Sequence, residues 1–505
     1  MKKKYVRWTL WTIASPFILF IILCILIYLP PIQNFLVDKA AVYASEATGM
    51  NISVGRISLS FPLNLVVTNV DAASPHNDTL LSVRRLQVNV QLLPLLKKQV
   101  EVDGISLQGA TVNSNDLIHG MKLNGTLGEL FISSHGVALD PETAIVNKVL
   151  LKDTDLSLCL NDTAAADTAA SDTAYWKIIL QDIDLQNVSF ALDMPLDSLS
   201  LAASLDNAIL RDGLIDLHKS AYSLQTFRIE NGRVRYDNGK PLAADSLSSG
   251  LDPSHIALTD IGVKLDSLYY GGRNMKAIIS QFVLKERSGV EIVSATGRMV
   301  SNDKVLRVPS LKLETRDSYL ELNAAMDWNA LDFKDEGLVS ARLMADIGKP
   351  DVVRFMGSMD EKFIRQYPSE PLRIRTGIDG DLNKLKLTTL TAELPGALGL
   401  FARGELTHLT DSLLRGGDIT LEAETKDLKF VSTLAEGIEI PYGTRLEGKF
   451  TMAGTKMGTD LLLMQPEAQA VVAADTIPIT VYNDSISVAD DFKMERAARL
   501  FAKYD

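Results

Sequence analysis

Residues 86–109 read LQVNVQLLPLLKKQVEVDGISLQG, and the alternation within this stretch decides the fold class. Leu86, Val88 and Val90 are apolar, and the residues between them are polar. A break at the letters LLPLLKK follows, after which the alternation resumes at Val100. A period of two residues predicts β-strands that have one apolar face and one polar face.

The same alternation recurs in RISLSFPLNLVVTNV, residues 56–70, where apolar and polar residues again take turns. Pro62 interrupts this run, and since proline cannot donate to a sheet ladder it predicts a bulge or an edge between two short strands. Gly104 shifts the apolar residues from even to odd positions, which predicts a bulge or a tight turn there. The apolar positions of residues 56–70 are Ile57, Leu59, Phe61, Leu63, Leu65 and Val67.

A weak internal repeat links three segments. GISLQGATV (104–112) aligns with DIDLQNVSF (182–190), so that Gly109 matches Asn187, and both residue types tolerate unusual backbone angles. A looser copy is FRIENGRVRYD (227–237). Its Asn-Gly pair, residues 231–232, predicts a two-residue hairpin turn that would pair Ile229 with Val234 and Phe227 with Tyr236.

The N-terminus predicts a membrane anchor. A basic cluster that ends at Arg7 precedes an apolar run over residues 8–29, and no charged residue occurs between Arg7 and Asp38. Twenty-two helical residues span roughly 33 Å, which matches a hydrocarbon core of about 30 Å. A cleaved signal peptide would have a shorter apolar region and a small-residue cleavage site. The positive cluster predicts a cytoplasmic N-terminus, and the aromatic anchor residues are Trp8, Trp11, Phe17, Phe20 and Tyr28.

The rest of the chain divides into segments by composition and pattern. We expect a basic tip and transmembrane anchor, an amphipathic helix, three β segments separated by a low-complexity loop and a short helix pair, and a C-terminal helix. In that order the segments are 1–31, 32–50, 51–160, the loop 161–175, 176–348, the helix pair 349–368, 369–485 and 486–505.

The sequence carries no recognisable catalytic or metal-binding motif. No two of the six histidines are close enough for a zinc motif, and no P-loop, GxSxG or dinucleotide fingerprint occurs. DIDLQN at 182–187 has asparagine where a calcium loop needs glycine, so a strand is the better interpretation. A net charge of −12 argues against a nucleic-acid partner. We therefore predict a protein that is not an enzyme and has no cofactor.

The many apolar strand faces have to be shielded from water. A strand that leaves three Leu, Val or Ile side chains in water forgoes about 5–9 kcal/mol of burial. Few helical patterns are present to cover so many strands, and two cysteines, Cys24 and Cys159, leave no plausible internal disulfide. Either sheets pack on sheets, or an apolar ligand such as an acyl chain covers the faces.

The order of features resembles the N-terminal region of the AsmA-like superfamily, most of all its TamB-type (translocation and assembly module) members. The resemblance is carried by the basic tip and anchor, the helix that ends at Gly49, VGRISLSFPLNLVVTNV and residues 78–112. It covers about residues 1–240. It implies a mostly β protein with a long, curved, U-shaped (taco-like) sheet and a hydrophobic groove. The candidate lining residues are Ile57, Leu59, Phe61, Leu63, Leu65, Val67, Leu86, Val88, Val90, Ile105, Leu107, Ile183 and Leu185.

The resemblance also implies a function. Such proteins are anchored in the inner membrane of a two-membraned bacterium, lie mostly in the periplasm and are proposed to conduct phospholipid toward the outer membrane. TamB-type members are also linked to the assembly of outer-membrane β-barrels with an Omp85-type partner. TamB-type chains are usually much longer, so partner binding is the part that this sequence supports least. Three alternatives stay open: a lipid conduit, an assembly factor, and a scaffold with a dry core.

Overall fold

The protein is mostly β. The computed structural model describes residues 50–488 and the helical positions 39, 41, 42 and 45, with gaps at 61–63, 75–78, 91–101, 115–119, 139–141, 162–175, 241–249, 335–336, 357–360, 434–441, 455, 465–470, 474–476 and 483–484. The chain forms two compact units, residues 1–240 and 241–505. The predicted mostly β class is confirmed, whereas the predicted anchor and residues 162–175 of the predicted loop lie outside the described residues. Of the helix predicted over 486–505, residues 486–488 belong to a strand and residues 489–505 lie outside the described residues.

The strands of the first unit are long, and several of them reach 18 residues. They are β1 (Asn51–Ser60), β2 (Asn64–Ala73), β3 (Thr79–Val90), β4 (Val102–Asn113), β5 (Met121–Ala138), β6 (Thr143–Leu160), β7 (Lys177–Met194), β8 (Leu199–Asp216), β9 (Ala221–Leu224) and β10 (Thr226–Asp237). A 3-10 turn, Pro195–Asp197, joins β7 to β8.

The longest described strand of the second unit has 17 residues. The strands of this unit are β11 (His255–Gly271), β12 (Asn274–Glu286), β13 (Glu291–Ser301), β14 (Val305–Thr315), β15 (Tyr319–Asp327), β16 (Leu338–Ile347), β17 (Leu372–Asp381), β18 (Lys384–Leu394), β19 (Leu398–Thr407), β20 (Gly416–Thr425), β21 (Arg445–Ala453), β22 (Lys456–Met464), β23 (Val471–Ala473), β24 (Ile477–Tyr482) and β25 (Ser485–Val488). The helices are α1 (Trp328–Leu331), α2 (Lys349–Met356), α3 (Glu361–Gln366) and the 3-10 helix Lys429–Thr433.

Strand pairing in the first unit follows the chain order. Each strand from β1 to β8 pairs with the next one, and β8 pairs with both β9 and β10. Every pair is antiparallel except β6 with β7, which are parallel. The predicted strand break at Pro62 is confirmed, because β1 ends at Ser60 and β2 begins at Asn64. The bulge predicted at Gly104 is also confirmed, because the register of β3 and β4 shifts beside this residue.

A line of interrupted pairing, which we call the crease, crosses the first unit. In each ladder, regular pairs stop on one side of this line and resume on the other. The residues that lie between these regular pairs stand side by side on adjacent strands, and we name one of them for each strand. In every antiparallel pair one of the two crease residues has a left-handed backbone, as Gly109 (φ 62°) and Asn187 (φ 51°) do. The crease residues are Gly55, Asn69, Arg84, Gly109, Gly128, Asp153, Asn187, Asp206 and Asn231.

The crease reverses the parity of the apolar residues. In β1 the less exposed positions are Ile52 and Val54 before Gly55, and Ile57 and Leu59 after it. A regular strand would place Ile57 on the face opposite Val54. Because burial follows the apolar residues through the reversal, the interruption of the ladder at the crease keeps those side chains on the more buried face on both sides.

The hairpin predicted at Asn231-Gly232 is wrong. β10 runs through both residues, and Asn231 takes its left-handed conformation (φ 53°) within the crease. Ile229 pairs with Ala208, and Val234 pairs with Ala203. The strand does not turn back because β8 continues on both sides of the crease and supplies a partner for each half of β10.

In the second unit, two small dry cores lie at opposite strand ends. One contains Phe363 of α3, Tyr367 and Phe430 together with Leu394 and Ala397. The Phe430 ring packs edge to face with both Phe363 and Tyr367, and the centroids of Tyr367 and Phe430 are 5.2 Å apart. The other core consists of Ala330, Val339 and Leu382. Helices α2 and α3 occupy the segment 349–368, for which the sequence predicts a helix pair.

Candidate functional site: apolar rows across the sheets

Two apolar rows cross the strands of the first unit. In each row, every residue is the direct cross-strand partner of the next one, over nine strands. The Leu107 row is Ile57, Val67, Leu86, Leu107, Leu130, Leu151, Leu185, Ala208 and Ile229. The Ile105 row is Leu59, Leu65, Val88, Ile105, Ile132, Val149, Ile183, Leu210 and Phe227.

The structure brings most of the sequence-predicted lining residues together in these rows. Val90 lies two pairs beyond Val88 along β3, opposite Val102, while Phe61 and Leu63 lie outside the described residues. The ten candidates within the rows are Ile57, Leu59, Leu65, Val67, Leu86, Val88, Ile105, Leu107, Ile183 and Leu185.

The rows are only half-buried. Val67 and Ala208 are buried, but Ile105 is 36% exposed and the other members have intermediate exposure. Apolar side chains in a closed core are normally buried to a greater extent, because each buried Leu or Ile gains about 1.5–3 kcal/mol. Among the described residues of the first unit, nothing covers these rows as a packed core would.

The neighbouring positions form a row of the opposite character, which we call the Gln108 row. All of its members are polar, and Lys152 pairs across the ladder with Gln186. Since adjacent residues of a strand point to opposite faces, the Leu107 row and the Gln108 row lie on different sides of the sheet. The Gln108 row is Arg56, Thr68, Arg85, Gln108, Glu129, Lys152, Gln186, Asn207 and Glu230.

The second unit carries a similar row, which the sequence analysis did not find. Ala295 and Ala345 are buried, and the larger members are half-buried. The alternating leucines around residues 311–322 could have indicated this row. Register shifts in the β13–β14 and β14–β15 ladders make the cross-strand partners of these leucines hard to predict from the sequence. This Leu400 row is Ala295, Leu313, Leu320, Ala345, Ile374, Ala392, Leu400, Ala423 and Leu446.

The opposite face of the second unit carries cross-strand ion pairs. Arg373 and Glu393 are 3.6 Å apart, and Lys449 lies 3.2 Å from Asp418. Exposed pairs of this kind contribute little stability, typically below about 1 kcal/mol. They do identify this face as the one in contact with water.

A polar cluster in the second unit is held together by hydrogen bonds within the protein. His255 is buried and its Nδ1 lies 2.7 Å from Asp252 Oδ2. This hydrogen bond, together with one from the backbone N–H of Ser254, holds the pKa of Asp252 below its usual value. Within the described part of the chain, no group of three or more His, Cys, Asp or Glu residues could hold a metal ion.

Comparison with known proteins adds no family assignment. No protein-family model matches the sequence, and no curated protein matches it. Among the residues that the structure describes, no helix is both long and apolar enough to cross a membrane. The apolar rows are therefore the feature on which a functional interpretation rests.

Proposed function

We propose that this protein is a non-enzymatic, membrane-anchored, bridge-like protein that conducts phospholipid along the apolar faces of its sheets. In this proposal the sheets curve into a groove, the N-terminal segment 1–31 anchors the chain in the inner membrane, and the bulk lies in the periplasm. The observation that carries the proposal is the continuity of the half-buried Leu107 and Ile105 rows over nine strands.

Acyl chains fit these rows better than a small or polar ligand would. The rows have no fixed centre and no convergent polar groups, so they offer a continuous apolar strip instead of a single pocket. A buried methylene contributes about 0.8 kcal/mol, so an acyl chain gains stability along its whole length. Adjacent members of a row lie on neighbouring strands, about 4.8 Å apart, so an acyl chain can move from one strand to the next along apolar side chains.

Lipid occupancy of the full chain tests this proposal. The full chain is purified in mild detergent, and the phospholipid that remains bound is counted by native mass spectrometry. The test variant is Leu107→Asp with Leu185→Asp, which places two charges in the Leu107 row. The control is Gln108→Asp with Gln186→Asp, which places the same charges in the same two strands on the polar face.

We expect several phospholipids per chain for the unmodified protein and the control, and a loss of most of them for the test variant. A lipid-free but folded protein would contradict the proposal. So would equal lipid loss in the two variants, because a charge on the polar face does not touch a lipid held by the apolar rows. Circular dichroism on both variants shows whether the strands are retained.

An assembly factor for outer-membrane β-barrels, working with an Omp85-type partner, is the second candidate. It is favoured by β1, which pairs with β2 alone among the described strands. Beyond Ile52, whose N–H donates to Ser45 Oγ at 3.0 Å, the other edge of β1 offers backbone groups for pairing with a client strand. Ser58→Pro in β1 should reduce barrel assembly under this reading and leave lipid occupancy unchanged. Normal assembly in that variant would remove the second candidate.

A further inference from the structure

Loop tips with strongly exposed apolar side chains lie at one end of the strands of the second unit. Leu413 is 80% exposed and Leu414 is 64% exposed in the loop between β19 and β20. Phe333 is 69% exposed in the loop between β15 and β16. Both loops leave the same end of the sheet, because direct pairs connect Met326 to Val339, and continue across β17 and β18 to Leu406.

The two loops are held by one small core. Leu409, in the loop between β19 and β20, packs against the cluster of Ala330, Val339 and Leu382. Its backbone N–H also donates to Leu382 O at 2.8 Å. Ala330 is only three residues from Phe333, and Leu409 is four residues from Leu413. The tips are therefore fixed on a common base and do not depend on each other for packing.

The backbone groups of the tips are satisfied within the loops. Asp411 Oδ1 accepts from the N–H groups of Leu413 (2.8 Å) and Leu414 (3.3 Å). The N–H of Arg415 donates to Asp411 O at 2.8 Å, and that of Phe333 donates to Ala330 O at 3.1 Å. Because the N–H groups of Leu413, Leu414, Arg415 and Phe333 keep acceptors within their own loops, these backbone amides lower the cost of moving the tips out of water.

Charges beside the tips are balanced. Asp332 Oδ2 accepts from Arg273 at 3.0 Å and lies 3.6 Å from Lys334 Nζ. The Arg273 guanidinium also lies over the Trp328 ring, 5.2 Å from its centroid. The carboxylate thus has cationic partners within the protein, so contact with a surface would depend on apolar insertion more than on charge.

We propose that Leu413, Leu414 and Phe333 insert into a lipid surface and dock the second unit on a membrane. The tips are separate protrusions with polar neighbours such as Ser412 and Lys334, and a protein partner would need a contiguous surface of about 800 Å² to bind them stably. A fluid lipid interface accepts separate apolar tips, and a side chain such as leucine or phenylalanine gains burial there. The inference does not depend on lipid transport along the rows.

Site-specific fluorescence tests this docking. The full chain, with Cys24→Ser and Cys159→Ser, is reconstituted in lipid nanodiscs and labelled with an environment-sensitive dye at Leu413→Cys. The matched control is Leu196→Cys, a 65% exposed leucine in the first unit. Added vesicles of brominated phosphatidylcholine should quench and blue-shift the dye at position 413 and leave the dye at 196 unchanged. Adding Leu414→Glu and Phe333→Glu should weaken the apparent vesicle affinity by about tenfold or more.

Three results would overturn the proposal. The first is a dye at position 413 whose emission stays that of a dye in water at saturating vesicle concentration. The second is equal quenching of the dye at position 196. The third is a blue shift that rises with protein concentration without added vesicles. The last would mean that a second copy of the chain covers the tips. The Leu107→Asp, Leu185→Asp variant separates this test from lipid conduction, because it should lose bound lipid and keep the quenching at 413.

Discussion

Single residues of the crease determine where the apolar parity of the long strands reverses. Gly109 and Asn187 hold left-handed backbone angles in the middle of β4 and β7, and Asn187 donates to Asp153 in the adjacent strand at 2.9 Å. Residues other than Gly, Asn and Asp rarely adopt this conformation within a strand, because the Cβ crowds the backbone. The repeated Gly or Asn in the three aligned segments therefore has a structural reason.

Asn187→Val should destabilise β7. Valine pays about 1–2 kcal/mol in the left-handed region, and the bond to Asp153 is lost as well. Native-state hydrogen exchange of the β7 amides measures this change in local opening free energy. Asn187→Gly keeps the backbone conformation and should cost less, and Gln186→Val, one residue away in an extended position, should cost little. Equal effects at 186 and 187 would contradict the role of the crease.

Asp252 gives the second unit a stabilising contact that depends on pH. Its pKa is below the usual aspartate value because His255 and the Ser254 amide bond to the carboxylate. The contribution is thus complete above the unfolded-state pKa of about 3.9 and is lost as pH falls through the lower folded-state pKa. Asp252→Asn should lower the melting temperature at about pH 7, and the difference from the unmodified protein should shrink at about pH 2. A pH-independent difference would contradict this assignment.

At the scale of elements, the strands and their apolar faces could be predicted because a period of two is a local property. The Ile57, Leu107 and Leu185 positions needed nothing beyond their own strands. The pairing register needed more, since it depends on partners far along the chain. The error at Asn231-Gly232 arose for this reason: the local turn signal is real, but β8 already offers a partner to both halves of β10.

The dry cores of the second unit lay beyond sequence reasoning for a similar reason. Phe363, Tyr367 and Phe430 come from separate segments and meet only in the fold. The helix pattern near 349–368 is visible in the sequence, but the 3-10 helix that completes the cluster is not. The Leu400 row also remained hidden, because its smaller members, such as Ala392 and Ala423, carry a weak periodic signal.

Phe363→Ala should destabilise the second unit by about 3–5 kcal/mol, because a ring that is 2% exposed leaves a cavity beside Tyr367 and Phe430. Phe355→Ala, on α2 with a 55% exposed ring, is the matched control and should change stability by about 0.5 kcal/mol or less. Hydrogen exchange of β18 and β19 amides reports on this unit alone. A cost at Phe363 no larger than that at Phe355 would contradict the dry core.

At the scale of the whole molecule, both units have the same plan. Each presents an apolar row over nine strands on one face, while most of the residues next to the row in sequence, which point to the other face, are polar. A chain that used these faces only for its own stability would gain most by burying them fully. The half-buried state of the rows in both units is compatible with the lipid-carrying face that we propose.

The most direct measurement is photocrosslinking from the two faces. A photoreactive amino acid is placed at Leu107 and Leu400 on the apolar rows, and at the adjacent Gln108 and Phe401 on the opposite face. The full chain is irradiated in membranes that contain radiolabelled phospholipid. We predict labelled lipid adducts at Leu107 and Leu400 and a background signal at Gln108 and Phe401. Equal labelling of the two faces, or no adduct at Leu107 and Leu400, would contradict the proposed lipid-conducting face.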